Sequence, residues 1–136
     1  MPTDTIVESK EIQVTYVAGN SARSIAEQAP KAVDELELAI PTLVGNKFYG
    51  IVVEGEYRAC VKIDEFSDSE FVDSLPKFEI PGGRYVHRRL VDWNHNVELL
   101  VETVEELTSR ADHDPSRFVI EYYRSHTEVV IRVPVT

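Results

Sequence analysis

The sequence predicts an α+β fold: a tandem pair of β-α-β-β modules forming one antiparallel-rich sheet with two main helices on one face. Three observations predict it. Short runs alternating apolar and polar residues bracket two helical stripes, the same order of elements occurs twice, and the two copies align at a nearly constant offset. The chain is read as a single domain over 1–136, with half one at about 5–64, a linker at about 65–76 and half two at about 77–136.

In the first half, Ile12, Val14 and Tyr16 alternate with Gln13 and Thr15, the period of a half-buried strand. Ser24-Ile25-Ala26-Glu27 reads as a capping box that starts a short helical turn. Pro30 suits the first position of a new helix, whose stripe is Ala32, Val33, Leu36 and Ile40 and which ends at Pro41. Residues 47–53 are β-rich, and Glu54-Gly55-Glu56 turns them into a second strand. There Tyr57, Ala59, Val61 and Ile63 alternate with Arg58, Cys60, Lys62 and Asp64. From Glu65-Phe66-Ser67-Asp68 onward the connection is polar and irregular.

The second half repeats this order. Residues 77–80 and 84–91 read as strands around Pro81-Gly82-Gly83, which fits a type II turn. Asp92 or Asn94 is placed to cap a helix with the stripe Val97, Leu100, Val101, Val104 and Leu107, and Arg110 falls at its negative end. Residues 118–123 and 128–133 form a last hairpin. At an offset of 70 residues, Lys47-Phe48 meets Arg117-Phe118, and residues 59–63 meet 129–133 with a basic residue at the same place. On that reading Ile51 occupies the place of Glu121.

Composition narrows the function classes. The net charge of −10 repels a phosphate backbone, so nucleic acid is not expected as a partner of this chain alone. No apolar run approaches the roughly 20 residues that span a bilayer. The N-terminal residues show no basic and apolar secretion signal, and the single Cys60 suits a reducing compartment, so a cytoplasmic protein is expected. His87, His95, His113 and His126 do not fall at metal-ligand spacing. No metal and no cofactor are expected. Cys60 shares a strand face with Arg58 and Lys62 but has no His or helix N-terminus beside it, which makes it an ordinary thiol.

Phe78-Glu79-Ile80-Pro81-Gly82-Gly83-Arg84-Tyr85-Val86 resembles the "-IPAGKYAV-" segment of the GyrI-like small-molecule-binding domains. That family is also known as the effector-binding domain of bacterial multidrug-responsive transcription activators. Ile120-Glu121-Tyr122-Tyr123 is similar to its "fExY" strand, and Val130-Ile131-Arg132-Val133-Pro134-Val135 to its closing "-iyiPV". The resemblance covers essentially the whole chain. It implies a pocket between the two modules, lined by aromatics, with Glu121 as the acid that meets cationic ligands and Tyr123 as the motif's tyrosine. Where relatives often have "hkGpy" before the second helix, this chain has Leu90-Val91-Asp92-Trp93-Asn94.

The candidate ligand-binding residues are therefore Glu121, Trp93, Tyr123, Tyr85 and Tyr16. Each has a plainer alternative. Glu121 serves equally as an exposed strand residue or as a partner of Arg58 or Arg132, Trp93 as a plug beneath the helix, and the tyrosines as core. The resemblance implies a stand-alone protein, without the regulators' helix-turn-helix segment, that senses or sequesters an amphipathic, cationic small organic molecule. Two other functions stay open. One is hydrolysis of a strained, cyclopropane-type electrophile, with Glu121 as general base and Tyr123 or Tyr85 as hydrogen-bond donor. The other is a protein partner, such as gyrase, or a homodimer.

Overall fold

A computed structural model describes residues 4–40, 45–63, 73–125 and 127–136. Pro41 as the end of the first helix, residues 65–72 of the linker and His126 lie outside the described residues. So does an Asn94 side-chain cap. Eight strands are described: β1 (Thr5–Ser9), β2 (Ile12–Ala18), β3 (Phe48–Val53), β4 (Glu56–Lys62), β5 (Lys77–Ile80), β6 (Gly83–Val91), β7 (Ile120–Tyr123) and β8 (Glu128–Pro134). Helix α1 (Ile25–Ala39) follows β2. Helix α2 (Val97–Thr108) follows β6 and a single 3-10 turn, Trp93–His95. The α+β class and the tandem β-α-β-β order are both present, as β2-α1-β3-β4 and β6-α2-β7-β8.

The starts of corresponding elements, Ile25 and Val97, Phe48 and Ile120, and Glu56 and Glu128, are each 72 positions apart rather than 70. The shift matters for one residue. With Ala59 of β4 matched to Ile131 of β8, the residue opposite Ala59 is Gly50 and the residue opposite Ile131 is Glu121. By cross-strand pairing, the counterpart of Glu121 is Gly50, 71 positions before it, and not Ile51.

The chain divides into two compact units. One comprises Ile12–Ile80, with strand order β3-β4-β2-β5 and all pairs antiparallel. The β3-β4 hairpin turns on Glu54 and Gly55, with φ of 51° and 82°, the pair of positive angles that matches the twist of a two-residue hairpin. Helix α1 begins as the capping box foretells, with the Glu27 N–H donating to Ser24 Oγ at 3.3 Å. It then runs as one helix straight through Pro30, where two were expected. Proline removes one i→i−4 hydrogen bond. The packing of Gln28, Ala32 and Leu36 on either side of that point outweighs the loss, since Ala32 and Leu36 bury against Tyr57, Ala59 and Val61. Gln28 is satisfied internally: its Oε1 accepts from the Tyr57 N–H at 2.9 Å, and its Nε2 donates to the carbonyls of Gly55 and Arg23.

The other unit comprises Pro81–Thr136 together with the N-terminal residues through Glu11, in the strand order β1-β6-β8-β7. Residues 77–91 do not fold back as a hairpin. β5 pairs with β2, whereas β6 pairs with β1 and β8. The positive φ falls at Gly83 (134°) rather than at Gly82, so the connection is not the expected type II turn. Gly82 is required for space instead: a Cβ there would stand 2.8 Å from the Glu11 nitrogen and 2.9 Å from the Ser9 oxygen.

At Gly83 an added Cβ would sit 2.5 Å from Arg117 Nη1. Arg117 has little freedom to retreat, because it donates to Asp114 (2.9 Å) and to the carbonyls of Val135 (2.9 Å) and Arg84 (3.2 Å). Gly83→Ala is therefore expected to lower stability by about 2 kcal/mol, through backbone strain plus the clash. Urea unfolding measures it, and an unchanged midpoint would contradict this account of the turn.

Candidate functional site

Register fixes which side chains share a face of β1-β6-β8-β7. Val86, Leu90, Val129, Ile131 and Val133 form one buried face, against which Leu99, Leu100, Val104 and Leu107 of α2 pack. Glu121 lies opposite Ile131 and Tyr123 opposite Val129, so both project to this helix side. There the Tyr123 hydroxyl donates to Glu121 Oε1 at 2.7 Å. Tyr123 also meets Trp93, with ring centroids 5.6 Å apart and planes at 56°. Both rings border the core cluster. The site that forms is a carboxylate, a phenol bonded to it, and an indole against the phenol.

The local backbone explains Trp93. Helix α2 does not start from Asp92; its N-cap is Asn96, with no side-chain cap bond. Asp92 instead adopts a left-handed conformation (φ 58°, ψ 27°) ahead of the 3-10 turn. Its N–H donates to the Thr127 carbonyl at 2.7 Å, and its own carbonyl accepts from the His95 N–H. Left-handed backbone is tolerated by Asp better than by most residues, and here it directs the chain so that Trp93 lands on Tyr123. The far end of α2 also differs from expectation, since Arg110 lies beyond Thr108 and forks onto Asp112 at 2.9 and 3.1 Å.

Arg88, which was not among the candidate site residues, occupies the same cross-strand row as Ile131 and Glu121. Two strand spacings place it about 10 Å from Glu121. Its guanidinium, 9% exposed, donates to both oxygens of Asp4 (2.7 and 2.8 Å) and to both of Glu106 (3.0 and 3.1 Å). The Arg88 hydrogen bonds hold the carboxyls of Asp4 and Glu106 below their ordinary pKa. Asp4 and Glu106 thus converge on one guanidinium, in the cross-strand row that Glu121 shares. No short-range sequence signal announces the cluster, because Asp4 and Arg88 are 84 residues apart.

Tyr85 is not brought to Glu121. Its register partners are Val7 and Pro134, on the face opposite α2, where it is fully buried with its hydroxyl donating to the Pro81 carbonyl at 2.5 Å. Burial raises the pKa of that hydroxyl. The Arg117 guanidinium lies 4.9 Å from the ring. Arg132 shares that opposite face, 4.8 Å over the Tyr122 ring. Tyr16 belongs to the other unit, on the face of its sheet away from α1. It packs edge-on to Phe78 (6.5 Å), with Arg58 4.5 Å over its ring. Arg58 is itself paired with Glu56 at 2.7 Å.

Two titratable groups lie away from Glu121. Cys60 is fully buried, and desolvation pushes its thiol up to about 12 despite the nearby Arg58. The native thiol is therefore expected to stay unmodified by a disulfide reagent at pH 8 and to react only on unfolding; stoichiometric reaction of the folded protein would contradict the placement. His87, opposite Arg132 on β8, is pushed down from 6.5 to about 4, first by burial and then by Arg132. The folded state therefore binds fewer protons than the unfolded state between these values, so stability falls as pH drops from 6.5 towards 4. His87→Gln is expected to flatten that slope in urea midpoints; an unchanged slope would remove His87 as its cause.

Among the described residues, no group of three or more His, Cys, Asp or Glu side chains is placed to hold a metal ion. No helix among the described residues is long and apolar enough to cross a membrane. Solved structures resemble this arrangement over almost its full length. An integron cassette protein from the mobile metagenome of Vibrio cholerae has a TM-score of 0.72 at 16% identity, covering 98% of this chain and 95% of that one. The protein SAV2435, solved bound to tetraphenylphosphonium, has a TM-score of 0.60 at 13% identity, covering 97% and 94%. A protein of Listeria innocua described as a hydrolase has a TM-score of 0.54 at 13% identity, covering 98% and 92%. The chain shares its fold with these proteins. No protein-family model and no curated protein matches the sequence.

Proposed function

We propose that this chain is a small-molecule-binding protein of the GyrI-like kind that takes up an amphipathic organic cation at Glu121, Tyr123 and Trp93. The observation that carries the reading is the Tyr123–Glu121 hydrogen bond at 2.7 Å with Trp93 packed on the same tyrosine. A carboxylate beside two aromatic rings offers a diffuse cation both charge and π-face contact, worth about 0.5–2 kcal/mol per ring. Tyr16 and Tyr85 are left out of the site, because both face away from the helix of their own unit.

That a protein of the same fold was solved with tetraphenylphosphonium makes this cation the natural first probe. Calorimetric titration is expected to show saturable binding of tetraphenylphosphonium. The neutral triphenylmethane, which has no hydrogen-bond acceptor, should bind at least about 10-fold more weakly, the equivalent of one lost charge contact. Equal affinity for the two, or no binding of either, would contradict the cation reading.

One observation favours a second reading. A carboxylate hydrogen-bonded to a phenol is also a base paired with a proton donor, and structures of this fold include ones described as hydrolases. On that reading Glu121 activates water against a strained electrophile while Tyr123 supports the developing charge. Steady turnover of a cyclopropane-bearing electrophile that is lost in Glu121→Gln would establish it; stoichiometric binding without turnover would return the site to binding alone.

A further inference from the structure

The Trp93 indole N–H points to a further requirement on the ligand. Nε1 of Trp93 is buried and donates to no acceptor among the described residues. An indole has one donor and no acceptor, so nothing compensates within the side chain. A buried donor left unmade is costly, and nearly all such groups in folded proteins find a partner. The ring that bears it is set against Tyr123, whose hydroxyl is bonded to Glu121. It is also held there by a strained link, since Asp92 just before it is one of two non-glycine residues with positive φ among those described. An unmet donor and a strained backbone thus coincide beside the proposed carboxylate.

We infer that the ligand is an organic cation that also bears a hydrogen-bond acceptor, such as a carbonyl or ether oxygen, which takes up the Trp93 N–H while Glu121 meets the charge. This rests on the cation reading of the site and adds a selectivity to it. A ligand that enters beside Tyr123 parts the two rings and exposes the N–H to its own oxygen. Asp92 and the 3-10 turn, anchored at Thr127, keep the indole within reach as it does so. Trp93 is then the residue that separates acceptor-bearing cations from purely hydrocarbon ones.

The test uses tetraphenylphosphonium derivatives with one ring carrying either a para-acetyl group or the similarly shaped para-isopropyl group. The acetyl compound is expected to bind about 5- to 10-fold more tightly, the worth of one net hydrogen bond. In Trp93→Phe that advantage should shrink to within about 2-fold, with the isopropyl compound still bound. A second readout needs no variant. The chain has one tryptophan, so its indole N–H gives a single nitrogen-proton NMR peak, which the acetyl compound should move downfield and the isopropyl compound should not. Equal affinities with no distinct indole shift would overturn the acceptor requirement and leave the cation reading standing. Failure of both compounds to bind would overturn both.

Discussion

Glu121→Gln is expected to weaken tetraphenylphosphonium binding by about 30-fold, roughly 2 kcal/mol, while leaving the fold intact. The substitution keeps the shape of the side chain and an oxygen able to accept from the Tyr123 hydroxyl, now at 2.7 Å from Glu121 Oε1. What it removes is the charge. Truncating one member of a desolvated charge pair ordinarily costs about 2–5 kcal/mol, and the half-buried setting of this strand argues for the low end. The row would still hold Asp4 and Glu106, but both are already committed to Arg88. An affinity unchanged within about 2-fold would show that Glu121 does not meet the cation. Calorimetry on the variant, with a melting curve to verify folding, decides it.

Arg88→Ala is expected to have the largest effect on stability, a loss of about 3 kcal/mol. Breaking a buried ion pair by removing one partner typically costs 3–5 kcal/mol, and Asp4 and Glu106 retain some access to water. The guanidinium links three separate segments: β6, α2, and the residue just ahead of β1. Without it β1 keeps its backbone pairing with β6 but loses its side-chain anchor. Arg88→Met should recover part of the loss by filling the volume. The pH dependence follows from the same contacts. Asp4 has a folded pKa below its unfolded value, so its stabilisation is present above the ordinary carboxylate range and is lost as pH falls through the lower, folded value. Urea midpoints at pH 7 for the two variants measure the effect, and a shift below about 1 kcal/mol in Arg88→Ala would contradict a structural role for the cluster.

Local pattern made much of this fold legible. The alternation of Tyr57, Ala59 and Val61 marks a strand wherever it occurs, and these three residues do bury against α1. Ser24 announced its helix through a hydrogen bond that spans only three positions of the chain. Pairing that leaves no local trace stayed hidden. β1 and β5 each pair with a strand other than the one that follows them, and nothing in residues 5–9 or 77–80 encodes the choice. Pro30 misled because proline's preference is local, whereas the burial of Ala32 and Leu36 that overrides it is tertiary.

Legibility of the site followed the same division. That Glu121 and Tyr123 share a face follows from their two-residue spacing. That Trp93 packs on Tyr123 depends on the left-handed turn at Asp92, which no simple preference of Leu90-Val91-Asp92-Trp93 foretells. The positions of Tyr85 and Tyr16 could not be read, because a shift of one residue in register sends a side chain to the other face. Alignment by a fixed offset of 70 residues likewise put Ile51 in the place that strand pairing gives to Gly50.

The most direct test of the central claim is where a bound cation lies. Intermolecular nuclear Overhauser contacts from the phenyl protons of tetraphenylphosphonium should reach the ring protons of Trp93 and Tyr123. Contacts confined to other rings, such as Tyr16 and Phe78, with Trp93 and Tyr123 silent at saturation, would contradict the site proposed for this protein.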